Sequence, residues 1–178
     1  MRKNDDIIAI YSRKSKFTGK GESIGNQVEL CKEYVRVHYG DTAVDKVAVY
    51  EDEGFSGGNL NRPDFKIMMD AAKKRKFKAI IVYRLDRISR SLSDFVGILE
   101  TLKKYNVQFV SSQESFDTSS PYGEMIVKIL MVFAEFERKS IIERVKHAYA
   151  YRSEMGLYMG GRRPYGFNLK DTVINNVK

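Results

Sequence analysis

The first side chains in the sequence that could do chemistry are Arg13 and Ser15, two residues apart. They follow an apolar run at residues 7–11 that predicts a short buried strand, in which successive side chains point to opposite faces. If the extended backbone continues, Arg13 and Ser15 share a face with Tyr11, while Ser12 points the other way. A serine hydroxyl beside an arginine is suited to attack on an anionic group. A polar strand end that meets solvent gives the same spacing, so this interpretation depends on the rest of the chain.

A second set of polar residues follows the apolar run 79–83, which predicts a strand covered on both faces. In an open α/β sheet, ligands bind outside the carboxyl ends of the parallel strands. We therefore expect this second set to form one basic rim together with Arg13 and Ser15. Its members are Arg84, Asp86, Arg87 and Arg90.

The residue types at this rim narrow the chemistry. A serine hydroxyl normally needs a nearby base, but His38 and His147 lie on helical patterns away from the rim, which gives a Ser-His-Asp triad little support. The sequence has neither a Walker-type phosphate loop nor clustered carboxylates for two metals, so we expect no cofactor. Guanidinium groups bind phosphoryl oxygens bidentately without losing a proton, which favours arginine-assisted phosphoryl transfer. Asp86 then orients an arginine or handles a proton, or it only caps a helix.

Strand and helix patterns alternate along the chain, which predicts an α/β fold with a mostly parallel central sheet flanked by helices. The predicted strands are Ile7–Tyr11, Lys46–Tyr50, Ala79–Tyr83 and Val107–Ser111, and the predicted helices between them are Asn26–Tyr39, Pro63–Lys74 and Leu92–Tyr105. Gly40 is expected to end the first helix and Asn106 to follow the third in a left-handed conformation. Ser93 is the predicted cap of the third helix.

A much longer helix is predicted from Pro121, because no helix breaker occurs before Gly156. At 1.5 Å per residue it would reach roughly 50 Å, longer than a compact domain needs, so we expect it to project. Residues 125–136 are apolar on several sides, which predicts burial against both the sheet domain and a partner subunit. From Glu137 onward the helix is basic, which favours a solvated or anion-facing surface. An amphipathic helix folded back on its own domain is the alternative.

The domain organisation predicted from these patterns has three parts. Residues 1–120 form the α/β domain that carries the basic rim, and residues 121–155 form the long helix with its apolar, partner-facing part and its basic part. Residues 156–178 are rich in glycine and arginine, and we expect them to be a linker and the truncated start of a downstream domain.

Composition limits the partners and the location. The 178 residues carry a net charge of +8, which favours an acidic partner such as nucleic acid. A single cysteine, Cys31, excludes an internal disulfide framework and a multi-cysteine metal site, and it is expected in the core. Because the sequence has neither a secretory signal pattern nor an apolar stretch long enough to span a membrane, we expect a cytoplasmic protein without membrane contact.

Five motifs in order along nearly the whole chain resemble those of the serine recombinases. They are Tyr11-x-Arg13-x-Ser15, Ser23-x-x-x-Gln27, Tyr50–Phe65 with Arg62, "LDRISRS" at Leu85–Ser91, and "EFERKSIIERV" at Glu135–Val145. The tail "GGRRPYGF" is similar to the opening of the recombinase domain in the large serine recombinases, which include phage integrases and transposases of mobile elements. The resemblance therefore implies the amino-terminal catalytic part of such a protein.

The resemblance also implies a mechanism and partners. Ser15 would attack a phosphodiester of double-stranded DNA and form a 5′-phosphoserine linkage, so that strands are exchanged and rejoined without ATP during integration or excision of a mobile element. Arg13, Arg87 and Arg90 would bind the phosphate, Arg62 and Gln27 would complete the site, and Asp86 would assist proton transfer. Supporting or DNA-binding positions are Tyr11, Arg138, Glu143 and Arg144. Dimers and synaptic tetramers would form through the long helix.

Two other functions fit the same residues. A hydrolytic phosphoesterase on the same fold would release its product with water and leave no lasting bond to DNA. A basic DNA-binding module would use the Arg13 and Ser15 rim only to hold phosphate.

Overall fold

The computed structural model describes residues 7–14, 23–54, 61–157, 159–161 and 165–166. Within these ranges the sheet has five strands: β1 Ile8–Lys14, β2 Ala48–Glu53, β3 Ala79–Val82, β4 Gln108–Ser111 and β5 Phe116–Asp117. The strand order is β2-β1-β3-β4-β5, and only the β4–β5 pair is antiparallel. The predicted α/β class with a mostly parallel sheet is therefore confirmed.

The helices are α1 Ile24–Tyr39, α2 Asp41–Val44, α3 Pro63–Lys73, α4 Leu85–Ile88, α5 Leu92–Lys104 and α6 Pro121–Glu154. The predicted helices agree with α1, α3, α5 and α6 to within a few residues. The sequence analysis missed α2, α4 and β5. Each is too short to show the hydrophobic periodicity on which such predictions depend.

Helix ends follow local chemistry, with one correction. As predicted, α1 ends at Gly40, which has φ 88°, and Asn106 after α5 has φ 59°. The prediction that Ser93 caps this helix is wrong, because the helix begins at Leu92 and already includes Ser93. Ser91 is the cap instead, and its hydroxyl accepts a hydrogen bond from Asp94 N.

Side chains of β1 alternate between two hydrophobic clusters on opposite faces of the sheet. Ala9 and Tyr11 belong to the larger cluster, which packs α3 and α5 against the sheet. Ile8 and Ile10 belong to the smaller cluster under α1. Cys31 lies in this second cluster, as expected, and burial raises the pKa of its thiol to about 12.

The chain divides into two compact units, Met1–Glu135 and Phe136–Lys178, and the boundary falls within α6. In the first unit, Ser120 caps the start of α6 by accepting a hydrogen bond from Gly123 N at 2.9 Å. Gly123 is buried there against β5. In the second unit, the described part of α6 is exposed apart from partly buried Ser140. The predicted long helix is thus confirmed in its extent.

Candidate active site

β1 delivers polar side chains to both faces of the sheet at its carboxyl end. On one face, Arg13 donates to Asp86 O of α4, and the Tyr11 hydroxyl accepts from Arg62, which also binds α4. On the other face, Ser12 donates to Gln27 Oε1 of α1 at 3.0 Å. The alternation predicted for these three β1 residues is confirmed. The predicted nucleophile, Ser15, lies outside the described residues.

Two buried arginines bind the carboxyl end of α4, a single helical turn. Arg13 donates from Nε to Arg87 O and from Nη2 to Asp86 O, both at 3.1 Å. Arg62 donates from Nη1 to Arg87 O at 3.2 Å and from Nη2 to Ile88 O. Both arginines are 0% exposed. Because the last carbonyls of a helix lack partners within it and carry partial negative charge, two guanidinium groups stabilise this turn.

Arg62 also joins α4 to the core. Its Nη1 donates to the Tyr11 hydroxyl at 2.7 Å, and its guanidinium lies 4.8 Å from the centre of the Phe65 ring. The Tyr11 hydroxyl in turn donates to Asp52 Oδ2 at 2.9 Å. Burial is the main reason that the pKa of Tyr11 is raised, and Asp52 raises it further while Arg62 lowers it.

Asp52 was missed by the sequence analysis as a member of this group. It is buried at the end of β2, and its carboxylate accepts from Asp64 N at 3.2 Å and Phe65 N at 3.0 Å. It therefore caps α3, whose own N-cap residue Arg62 provides no side-chain cap. The available signal was its place in the Tyr50–Phe65 motif, two residues before Gly54. We call the connected set the α4 network; it comprises Tyr11, Arg13, Asp52, Arg62, Asp86 and Arg87.

Arg87 faces both Arg13 and Asp86. Its Nη1 donates to Arg13 O at 3.2 Å, and its side chain is 20% exposed. Its Nε lies 3.5 Å from Asp86 Oδ1, and both atoms are buried without a hydrogen bond in the described part of the chain. The two groups therefore attract each other electrostatically, although neither atom is satisfied by a hydrogen bond.

Positive charge accumulates at this edge of the sheet. Burial lowers the pKa of Arg13, and the charges of Arg62, Arg87 and Arg90 lower it further. Arg90, just beyond α4, is exposed. Asp52 and Asp86 offset only part of this charge, so the electrostatics at this edge favour an anionic ligand.

The other predicted site residues are Gln27 in the first unit and three residues of α6 in the second unit. Gln27 is buried on the opposite face of β1, where it accepts from Ser12. Arg138, Glu143 and Arg144 belong to α6 in the second unit, and Arg144 Nε donates to Ser140 O of its own helix at 3.4 Å.

Neither a histidine nor a metal cluster accompanies the α4 network in the described residues. His38 stacks on Tyr34 of its own helix, with ring centres 3.9 Å apart. Over the described ranges no three histidine, cysteine, aspartate or glutamate residues are grouped so as to hold a metal ion. No helix in the same ranges is long and apolar enough to cross a membrane.

Comparison with known proteins gives the family. Residues 8–158 match the family model described as "Resolvase, N terminal domain". The chain belongs to this family. A putative DNA recombinase of Bacillus subtilis (strain 168) is 30% identical over 90% of this chain, and the serine recombinase gin of Escherichia phage Mu is 33% identical over 65%. The chain spans 31% and 58% of the lengths of these two relatives.

A solved structure shows the same fold for this resolvase-family chain. The crystal structure of the N-terminal catalytic domain of TP901-1 integrase matches with a TM-score of 0.65 and 34% identity, covering 75% of this chain and 97% of that one. The resemblance to serine recombinases read from the five motifs is therefore confirmed, and so is the fold that it implied.

Proposed function

We propose that this chain is the catalytic domain of a site-specific DNA recombinase that cleaves and rejoins double-stranded DNA through Ser15. The observation that carries the proposal is the group of four arginines around α4, at the carboxyl edge of the sheet, in a chain of the resolvase family. Such a group is suited to a phosphodiester, because guanidinium groups stabilise the charge that develops on the phosphoryl oxygens.

The proposed reaction is a transesterification. Ser15 Oγ attacks the phosphorus and forms an Oγ–P bond, and the bond from phosphorus to the 3′ oxygen of the DNA breaks. The 3′ oxygen leaves as a hydroxyl with the proton that Ser15 gives up. One phosphoester replaces another, so attack by a new 3′ hydroxyl reverses the step without ATP. This is how strands would be exchanged and rejoined.

The arginines have different proposed roles according to their exposure. Arg87 and Arg90 reach solvent and would bind the non-bridging phosphate oxygens directly. Arg13 and Arg62 are buried and bound to carbonyls of α4. They would add positive potential and fix the position of Arg87. The family resemblance also implies contact between Arg13 and the phosphate.

Three further residues would support the reaction. Asp86, with Oδ1 3.5 Å from Arg87 Nε, would orient that arginine and assist transfer of a hydroxyl proton. Gln27 would support β1 from the opposite face through Ser12. Tyr11 would hold Arg62 in place through its hydroxyl.

α6 would provide the partner surfaces. Its first part exposes the large apolar side chains Met125, Ile129, Val132 and Phe133. We propose that a second copy covers them in a dimer, and that two dimers form the synaptic tetramer. Arg138 and Arg144, with Glu143 between them on the exposed second part, would follow the DNA backbone. Residues 156–178 would lead into a further DNA-binding domain. The protein would act in the cytoplasm, and its substrate would be the DNA of a mobile element.

The proposal is tested by comparing Ser15→Ala with Ser12→Ala in a cleavage assay. The DNA carries a nick that traps the cut strand, and the chain is used both alone and joined to a DNA-binding domain of known specificity. We expect Ser15→Ala to abolish cleavage while DNA affinity is unchanged. Ser12→Ala should retain most of the cleavage activity. If Ser15→Ala still cleaves, the nucleophile is wrong. If the wild type binds DNA but does not cleave it, the protein is a DNA-binding module.

A further inference from the structure

The amino end of α4 has no capping side chain of its own. Its N-cap residue, Arg84, makes no side-chain cap hydrogen bond. The first amide of the turn, Leu85 N, instead lies 3.3 Å from both Oε1 and Oε2 of Glu114. The first N–H groups of a helix have no partner within it. Glu114 therefore satisfies a donor that α4 cannot satisfy internally.

Glu114 is well placed for this contact because the sheet fixes its backbone. It lies in the tight turn between β4 and β5, where Ser111 pairs with Phe116 across the antiparallel ladder. Ser115, which follows Glu114, has φ 49° and helps to close the turn. The buried Ser111 hydroxyl also donates to Glu114 Oε2, which orients the carboxylate towards α4.

The charges at the two ends of α4 complement its dipole. A carboxylate lies at the amino end, and the guanidinium groups of Arg13 and Arg62 lie at the carboxyl end, the arrangement that a helix dipole favours. Arg84 Nε adds a weaker link, 3.9 Å from Glu114 Oε1 and 3.7 Å from Asp86 Oδ1. The turn is therefore bound at both ends by side chains from other elements.

We infer that Glu114 is a positioning residue that fixes α4 from its amino end, so that Asp86 and Arg87 are oriented against Arg13. Glu114 acts through Leu85 and does not touch the DNA. Its effect on DNA cleavage rests on the proposed function of the chain. Its effect on the orientation of α4 rests on the contacts alone, so the two can be tested separately.

The first test measures hydrogen exchange by NMR in the 178-residue chain. Glu114→Ala removes the acceptor, and Glu114→Gln keeps its shape with a weaker, uncharged acceptor. We expect exchange of the Leu85 amide to rise about 10- to 100-fold in Glu114→Ala and less in Glu114→Gln, as for loss of a hydrogen bond to a charged group. The Arg13 Nε–H exchange should rise with it, while the amide of Ile81 in β3 should not change.

Gln113→Ala is the matched control. Gln113 is the exposed neighbour of Glu114, and its backbone N donates to Tyr83 O at 3.0 Å, a bond that the substitution leaves in place. It should leave the Leu85 and Arg13 signals as in the wild type. Equal Leu85 exchange in Glu114→Ala and the wild type would overturn the inference.

The second test follows formation of the covalent Ser15–DNA adduct. We expect the rate to fall about 10-fold or more in Glu114→Ala, while the DNA Kd stays near that of Gln113→Ala and the Tm falls by only a few degrees, as for loss of one hydrogen bond. General loss of structure would instead weaken DNA binding as well and abolish the cooperative unfolding transition. Faster Leu85 exchange with unchanged cleavage would overturn the positioning role. If the wild type forms no adduct but Leu85 still responds, the proposed function fails and the orientation of α4 by Glu114 stands.

Discussion

The α4 network and the second part of α6 are both rich in arginine, yet the surroundings of these arginines are opposite. In the network, Arg13 and Arg62 are 0% exposed and bound to backbone carbonyls. On α6, Arg138 and Arg144 are exposed, and Arg144 donates a hydrogen bond to Ser140 O of its own helix. A buried arginine costs free energy unless it is paired, so it must be part of the folded framework. An exposed one costs little and is available to a partner.

This comparison teaches where the chemistry is organised. The first unit contains a prearranged group of charges around a single helical turn, held by hydrogen bonds from β1, β2, α3 and the β4–β5 turn. Preorganised charge of this kind stabilises a transition state without rearrangement during the reaction. The second part of α6 shows no such arrangement, and under the proposed function its charges act only when DNA is present.

The largest effect is expected from Arg62→Ala. The substitution removes the Arg62 donor to the Ile88 carbonyl and to the Tyr11 hydroxyl, and it leaves Arg13 as the donor to the Arg87 carbonyl. It also removes a positive charge that lowers the pKa of Tyr11. We expect a loss of about 3–5 kcal/mol in the free energy of unfolding, measured by urea denaturation. Arg144→Ala should change it by less than about 0.5 kcal/mol. Equal effects of the two substitutions would remove the contrast between the two regions.

A smaller effect is expected from Gly123→Ala, at the start of α6. A Cβ built at this position would lie 1.8 Å from the Asp117 carbonyl oxygen, so α6 or β5 must shift. We expect a loss of about 1–3 kcal/mol in stability, as for other overpacked sites. The control is Gly97→Ala in α5, where nothing lies within 4 Å of the new Cβ, and a gain of about 0.4–1 kcal/mol is expected. If both substitutions destabilise the protein, the cause is the replacement of a glycine within a helix and not the contact with Asp117.

The smallest effect is expected at high pH from Tyr11→Phe. Because the pKa of Tyr11 is raised on folding, the unfolded chain loses this proton first as the pH rises above about 10, and stability falls. Tyr11→Phe should therefore reduce the slope of unfolding free energy against pH above pH 10, by at most about 1.4 kcal/mol per pH unit. Tyr34, Tyr39 and Tyr50 contribute equally to both proteins. Identical slopes for the wild type and Tyr11→Phe would mean that Tyr11 ionises as easily in the folded chain as in the unfolded one.

The sequence predicted the parts of this site that depend on local patterns. Strand alternation separated Arg13 from Ser12, and the strand end at residue 83 placed Arg87 and Arg90 at the same rim. Arg62 was selected through the family resemblance. It did not predict that Arg13 and Arg62 would bind the carbonyls of α4, because α4 is one turn long and has no periodicity. Asp52 and Glu114 were missed for a related reason. Each caps a helix in another part of the chain, and such a contact leaves no signal within its own segment.

The roles of individual residues remain predictions, and the one for Ser15 is central. The most direct measurement is to incubate the chain with DNA that traps the cleaved strand, digest the denatured product and locate any DNA-linked peptide by mass spectrometry. The account predicts a phosphodiester on Ser15, absent from the Ser15→Ala protein. A DNA adduct on any other residue, or cleavage without an adduct, would contradict it.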